Sequence, residues 1–438
     1  MQAVTNLSDG DITAVLLCSF IVFFQNIGFA ALENGNVRAK NARAILLKNC
    51  IDKLVGGLCY WAVGFAFAYG SSSNGFIGTS HFFLSQLNGP VAALWVLSAT
   101  FLMTATTIVS GCLAERAQFE AYLAYTPLMA VLVYPLVVHW VTQGWLTTFA
   151  THCTYLDFAG GSMVHLVGGV AGLVAAWQVG PRLGRFDGAI VKPIPGHNVE
   201  STVLGTLMLW FGWYGFNIGE LLHFIVSVQA GDERGTVAAR AAVNTTICGC
   251  AGALTALLLA WLRTRTYEVR TCCNGVLGGM VAITALAPFV DPWAAFVLGC
   301  IAGGVYIGCS RALLCLRIDD PLDASAVHAG CSLVGLLGVG VFGEPTYIAQ
   351  NHEGYDRVCG GFFFASPARR GGEQLGVQLL GIITISAFTA ACSLALFGTL
   401  RYFNKLRVDT ATEIAGLDFV DHGGSAYPDF LLRVEAQD

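Results

Sequence analysis

The length of the charge-free stretches constrains this chain more than any other feature. No Asp, Glu, Lys or Arg occurs from Leu54 to Ala114, from Ala121 to Leu156, or from Phe158 to Pro181. A helix of roughly 20 apolar residues crosses the hydrocarbon core of a bilayer. Helix suits that medium because it satisfies its own backbone hydrogen bonds where there is no water. Across the 438 residues 55% are apolar and 12% are charged, against roughly 25% charged in a soluble domain. The net charge of −5 provides no basic footprint for nucleic acid. These figures exclude a soluble enzyme, a nucleic-acid binder and a disordered chain.

The pattern predicts an all-α polytopic membrane protein with eleven transmembrane helices, at about 11–32, 48–69, 90–114, 119–141, 157–180, 199–220, 236–262, 271–289, 292–310, 323–343 and 374–402. Asp9 and Asp11 stand where a signal peptide would be basic, so the first stretch reads as a retained helix. Lys and Arg gather in alternate loops. Arg38, Lys40, Arg43, Arg116, Arg182, Arg185, Lys192, Arg263 and Arg311 fall on one side with the tail, against Arg234, Arg357, Arg369 and Arg370 on the other. That asymmetry predicts an outer N-terminus and a cytoplasmic C-terminus. The 15 cysteines show no metal spacing. Cys153 and Cys359 both fall in outer loops, where a disulfide and two free thiols are both open outcomes.

A repeat lies inside the spans. Ser162-Met-Val-His165 runs on to Gly172-Leu173, and Ser325-Ala-Val-His328 runs on to Gly335-Leu336, at an offset of 163 residues. The copies occupy spans five and ten. Two halves of five spans each must run in opposite directions, the inverted repeat of many transporters, whose sites lie at the repeat interface near the midplane. The units are 1–180, 181–345, then an outer loop with the eleventh helix at 346–402, and a cytoplasmic tail at 403–438. Counted from the charged span ends, His165 enters by roughly 12 Å and His328 by roughly 8 Å from the opposite side. The two imidazoles approach each other in depth. A lone histidine in a bundle is as readily a carbonyl-bonded core residue, but two at matched positions favour function. Ionisable groups inside a membrane are functional candidates by default, and burial favours a neutral pair sharing one hydrogen bond.

The residues resemble the ammonium transporters, the Amt/Mep/Rh superfamily, and within it the plant-type members. The resemblance is carried by Ala31-Leu-Glu-Asn-Gly-Asn-Val-Arg-Ala-Lys40, Gly111-Cys-Leu-Ala-Glu-Arg116, Asp157-Phe-Ala-Gly-Gly161 through His165, Trp210-Phe-Gly-Trp-Tyr-Gly-Phe-Asn217, Cys273-Asn-Gly275, Asp319-Asp-Pro-Leu-Asp323 through His328, and Gly416-Leu-Asp-Phe-Val-Asp-His-Gly-Gly424. It implies a homotrimer with one pore per subunit and ammonium, ammonia or methylammonium as the solute. It also implies an outer cation site, a phenylalanine gate at Phe101 and Phe216, and a pore with the twin histidines His165 and His328. Trp213 and Asp157 are expected at the outer site, with Asp323 supporting the start of span ten. No cofactor and no metal are implied.

Three positions depart from the family pattern. His139-Trp140-Val141 is followed by Thr142 where the family often has a second Trp, so that cage wall is missing or is supplied by Trp140 or Trp145. Glu220 stands where the family usually has Ser, and its carboxylate is expected either to attract the cation or to be solvated at a helix end. Val420 stands where plant relatives carry a phosphorylated Thr. The expected function is ammonium transport across a membrane, the plasma membrane by default or an acidic organelle. The alternative is an ammonium sensor on the same fold, against which the short tail speaks. An enzyme is not expected, because no paired carboxylates, metal set or nucleophile motif is visible.

Overall fold

A computed structural model describes residues 7–150, 152–219, 234–350, 359–364 and 370–428. The chain is a bundle of long helices. Helix α1 is Asp9–Asn36. Helix α2 runs from Ala42–Cys59 through a π turn, Tyr60–Gly64, into Phe65–Tyr69. Helix α3 is Gly89–Leu113, and α4 joins Phe119–Leu128, the π turn Met129–Val133 and Tyr134–Thr142. Helix α5 starts as a π turn, Gly161–Leu166, and continues as Val167–Val179. There follow α6 Val199–Gly219, α7 Arg234–Thr264, α8 Val269–Thr284 and α9 Pro292–Cys315. Helix α10 starts as the π turn Ala326–Gly330 and continues as Cys331–Phe342, and α11 is Gly371–Tyr402. A small hairpin, β1 Phe186–Asp187 with β2 Ile190–Val191, sits between α5 and α6.

Among the described residues eight helices are long and apolar enough to cross a membrane; 326–342 is apolar but shorter. The burial pattern is that of a membrane protein. Leu54, Leu58, Leu254 and Ile383 are exposed on the flanks, whereas Gln25, Asn26, Thr104 and His165 are buried inside. Only an apolar surrounding makes that arrangement favourable.

Helix starts follow their capping residues. Ser8 and Asp11 form a reciprocal capping box for α1. Asn88 caps α3 by accepting from the Val91 amide at 2.9 Å. Helix α5 begins at Gly161 rather than at the predicted 157, because Asp157 to Gly160 form a capping turn with Gly160 at φ 92°. Helix α8 stops at Thr284, short of the predicted 289. The turn beyond it is engaged elsewhere: the Phe158 amide donates to the Ala285 carbonyl at 2.9 Å, and Asn244 Nδ2 donates to the carbonyls of Ala287 and Val290. Such non-helical backbone at depth is tolerated where protein surrounds it.

The two ends of the bundle differ chemically. One end is basic and holds a buried ion network. Arg182 pairs with both oxygens of Asp319, at 2.8 and 3.0 Å, and with Glu115 at 2.9 Å, while Arg38 reaches the same Glu115. Burial alone would raise both carboxyls. The Arg182 guanidinium, with Arg116 beside Asp319 and Arg38 beside Glu115, outweighs it and holds both below their ordinary range. The tail docks at this end. Asp418 caps α2 by accepting from the amides of Arg43 and Ala44 at 2.8 and 2.9 Å, and Lys40 Nζ donates to the carbonyls of Glu413 and Ile414. The opposite end carries a disulfide between Cys153 and Cys359.

Glycine sets two close approaches. A Cβ on Gly205 would lie 2.4 Å from the Leu32 nitrogen, so α1 and α6 cross backbone to backbone. A Cβ on Gly169 would lie 2.3 Å from the Ala329 nitrogen, so α5 meets the π turn of α10. The second approach brings the two histidine-bearing segments together.

Candidate functional site

His165 and His328 face each other across the α5–α10 contact. Their Nδ1 atoms are 3.2 Å apart, their rings 5.1 Å apart and 21° from parallel, and both residues are buried. Each sits in a π turn, a wide turn found often at functional sites. An Nδ1–Nδ1 hydrogen bond between neutral imidazoles requires opposite tautomers. One ring then carries its single N–H proton on Nδ1 and the other on Nε2. The pair therefore offers one Nε2–H donor and one bare Nε2 acceptor to a third molecule. Nε2 of His165 is buried without a protein partner.

The rings continue on both sides. Phe101 and Phe216 stack at 3.9 Å and 6°, both fully buried. Phe216 lies 5.4 Å from His165, and beyond His328 comes Phe29 at 6.1 Å. Phe101, Phe216, His165, His328 and Phe29 form one buried column of rings. Such a column is hostile to a bare ion, which loses its hydration without gaining a countercharge.

The acidic residues act on backbone. Asp157 Oδ1 accepts from the amides of Gly160 and Gly161, at 3.1 and 2.6 Å. Its Oδ2 accepts from the Ser162 amide and hydroxyl and from the Met163 amide, at 2.6, 2.5 and 3.2 Å. Both oxygens are thus engaged in ordering the turn that leads to His165. The matching residue in the second half is Asp320, not Asp323. Asp320 Oδ2 accepts from the Ser325 amide at 2.7 Å, and Asp157/Asp320, Ser162/Ser325 and His165/His328 share the one offset of 163. That offset was the signal that identifies Asp320. Asp323 instead adopts φ 58° and turns its carboxylate to Ser310 at 2.9 Å and Arg270 at 3.4 Å.

Both tryptophans expected at the outer site are buried. Trp213, expected at the outer site, is fully buried beside His165, rings 5.2 Å apart, and its indole N–H donates to Thr284 Oγ1 at 3.0 Å. It precedes Phe216 by three residues on α6 and so lies about one turn along the helix from the gate. Trp140 is also committed to packing. Its N–H donates to the Phe76 carbonyl at 2.8 Å, and its ring lies against Phe76 and Phe388. Thr142 donates its hydroxyl to Val138 of its own helix. Glu220 lies outside the described residues. Phe29, Thr284 and the buried carboxylates Glu33 and Asp52, which share Lys48 at 2.8 and 3.7 Å, were missed by sequence reasoning. Among the described residues no group of His, Cys, Asp and Glu could hold a metal ion.

Comparison with known proteins fits this geometry. The family model described as Ammonium Transporter Family matches residues 13–427. The chain belongs to that family. It is 41% identical to ammonium transporter 1 member 1 of Arabidopsis thaliana, over 90% of this chain and 80% of that protein. It is 38% identical to ammonium transporter 3 of Dictyostelium discoideum, over 95% and 94%. Among solved structures, a sensor Amt protein superposes with a TM-score of 0.82 at 30% identity, covering 94% of this chain and 98% of that one. Mep2 of Saccharomyces cerevisiae superposes at 0.81 with 28% identity, over 93% and 89%. As a member of the ammonium transporter family with several apolar spans, the chain is an integral multi-pass membrane protein.

Proposed function

We propose that this protein is an ammonium transporter in which ammonium is recruited at an outer site, loses its proton near the Phe101–Phe216 pair, and crosses the ring column as ammonia. The single observation that carries this reading is the hydrogen-bonded histidine pair at the centre of a buried column of rings. Ammonia both donates and accepts hydrogen bonds, and the pair offers one partner of each kind. Potassium can shed no proton, so the same column rejects it. The proton crosses separately or stays outside.

The proposed topology is eleven spans with the basic end cytoplasmic. The lysines and arginines of that end support it, as does the disulfide at the opposite end, since disulfides persist on the oxidising side. Two inverted halves, 1–180 and 181–345, are supported by matched elements packing on one another: α1 on α6 at Gly205, and α5 on α10 at Gly169. The proposed assembly is a homotrimer and the proposed location the plasma membrane. A carboxylate at Glu220 would strengthen the outer site.

The sensor reading is kept because a sensor Amt protein superposes as closely as a Mep2 does. Solid-supported-membrane electrophysiology on the purified protein in liposomes separates them. An ammonium jump that gives current, with none for potassium, supports charge-coupled transport. Lumen alkalinisation without current supports electroneutral ammonia flux. Neither response, in protein that still binds ammonium, supports the sensor.

A further inference from the structure

Beyond the histidine pair the column opens into a small cavity of about 20 Å3 at the basic end, lined by Phe29, Glu33, Thr107, Asn274 and His328 among others. Glu33 is an unusual lining residue. It is 1% exposed and follows a stretch of α1, Ile12 to Leu32, that contains no acid or base. Phe29 and Glu33 are four residues apart on that helix, so they share a face and lie about 6 Å apart along its axis. Phe29 packs on the His328 ring. A solute leaving His328 therefore meets Glu33 next.

The two carboxylate oxygens are unequally occupied. Oε2 accepts from Lys48 Nζ and from Asn49 Nδ2, both at 2.8 Å. Among the described residues the hydrogen-bond partner of Oε1 is the Ser110 hydroxyl, at 3.2 Å. A hydroxyl has one proton, and the shorter contact of Ser110 is to the Thr107 carbonyl at 2.6 Å. Ser110 Oγ also accepts from Lys48. Oε1 thus has at most a share of one hydroxyl proton and keeps acceptor capacity. Lys48 is shared between Glu33 and the buried Asp52, and Lys53 donates to Asn49 and Thr107 rather than to Oε1.

We infer that Glu33 Oε1 forms an inner binding site for ammonium, on the far side of the histidine pair from the recruiting site. This rests on the transport reading above. Ammonia that has passed the pair and taken up a proton at the cytoplasmic mouth is held there as ammonium before release, and ammonium presented from the cytoplasm is recruited there.

The test uses the full-length protein in oriented proteoliposomes, with ammonium chloride applied to one face at a time and potassium chloride as control. Glu33→Gln should raise the half-saturating ammonium concentration from the cytoplasmic face roughly tenfold, the loss of one charge-assisted hydrogen bond, and leave the outer value unchanged. Glu33→Asp, which keeps the charge on a shorter arm, should fall between. Glu33→Gln strands the Lys48 ammonium, so Glu33→Gln/Lys48→Met is measured beside it and should show the same one-sided shift if the single variant fails to fold. A wild type with no ammonium response from either face refutes the transport reading. An active wild type whose variants shift both faces equally, or neither, overturns the inner site alone.

Discussion

The two capping aspartates allow a comparison whose size follows from their contacts. Asp157 receives five donors within 3.2 Å, whereas Asp320 Oδ1 is buried with no partner. Replacing either by Asn turns one oxygen into an NH2 group. In Asp157→Asn the less damaging flip sets that NH2 against the amides of Gly160 and Gly161 and removes two hydrogen bonds to a charged acceptor. At about 1.5–3 kcal/mol each, the loss is about 3–6 kcal/mol. In Asp320→Asn the NH2 takes the vacant Oδ1 position and the Ser325 amide keeps its oxygen. The cost is then only that of a charged acceptor becoming neutral, on the order of 1 kcal/mol. Thermal unfolding of both variants in detergent, by size-exclusion fluorescence, should place Asp157→Asn several degrees below Asp320→Asn. Equal melting temperatures, or a larger loss at Asp320, would refute the unequal division of labour between the two turns.

Other outcomes follow from packing and charge. Arg182→Met leaves Glu115 and Asp319 buried without their shared cation and should cost about 3–5 kcal/mol, read as a lowered melting temperature. Both carboxyls are held below their ordinary range when folded, so their contribution is complete above that range and lost as pH falls through the folded values. The wild-type melting temperature should therefore vary little from pH 7 to 5 on their account and drop below about pH 4. Gly169→Ala forces a Cβ against the Ala329 backbone. It should cost about 1–3 kcal/mol and abolish ammonium flux by parting the histidine segments, with monodisperse elution as the control for folding. Cys153→Ser/Cys359→Ser should lower the melting temperature by an amount worth about 2–4 kcal/mol, and reduction of the wild type should match it.

Much of the site was legible because its chemistry is repeated. Either histidine motif alone is ordinary. The offset of 163 made both conspicuous, and the structure brings them within one hydrogen bond. The same offset points to Asp320, but proximity in sequence favoured Asp323, and only the backbone reveals that Asp323 stands in a left-handed conformation facing away. Phe101 and Phe216 were distinguishable among 28 phenylalanines by motif position alone; Phe29 had no such marker. Trp213 was grouped with its neighbour Phe216, although three residues on a helix separate them by about 4.5 Å in depth. Helix ends drifted where a capping turn or an engaged loop replaced apolar helix, at 157–160 and 285–290. Hydropathy cannot distinguish buried loop from buried helix.

The bond between Cys153 and Cys359 spans 206 residues of sequence. At a synthesis rate of about 5–20 residues per second, Cys153 is made about 10–40 s before its partner. During that interval its thiol waits unpaired while the chain through α10 is produced. The cross-link can close only after that whole stretch has been delivered and folded back. It is therefore a time stamp: an oxidised pair marks a molecule whose second half arrived in register, and a free thiol at Cys153 marks one that is unfinished.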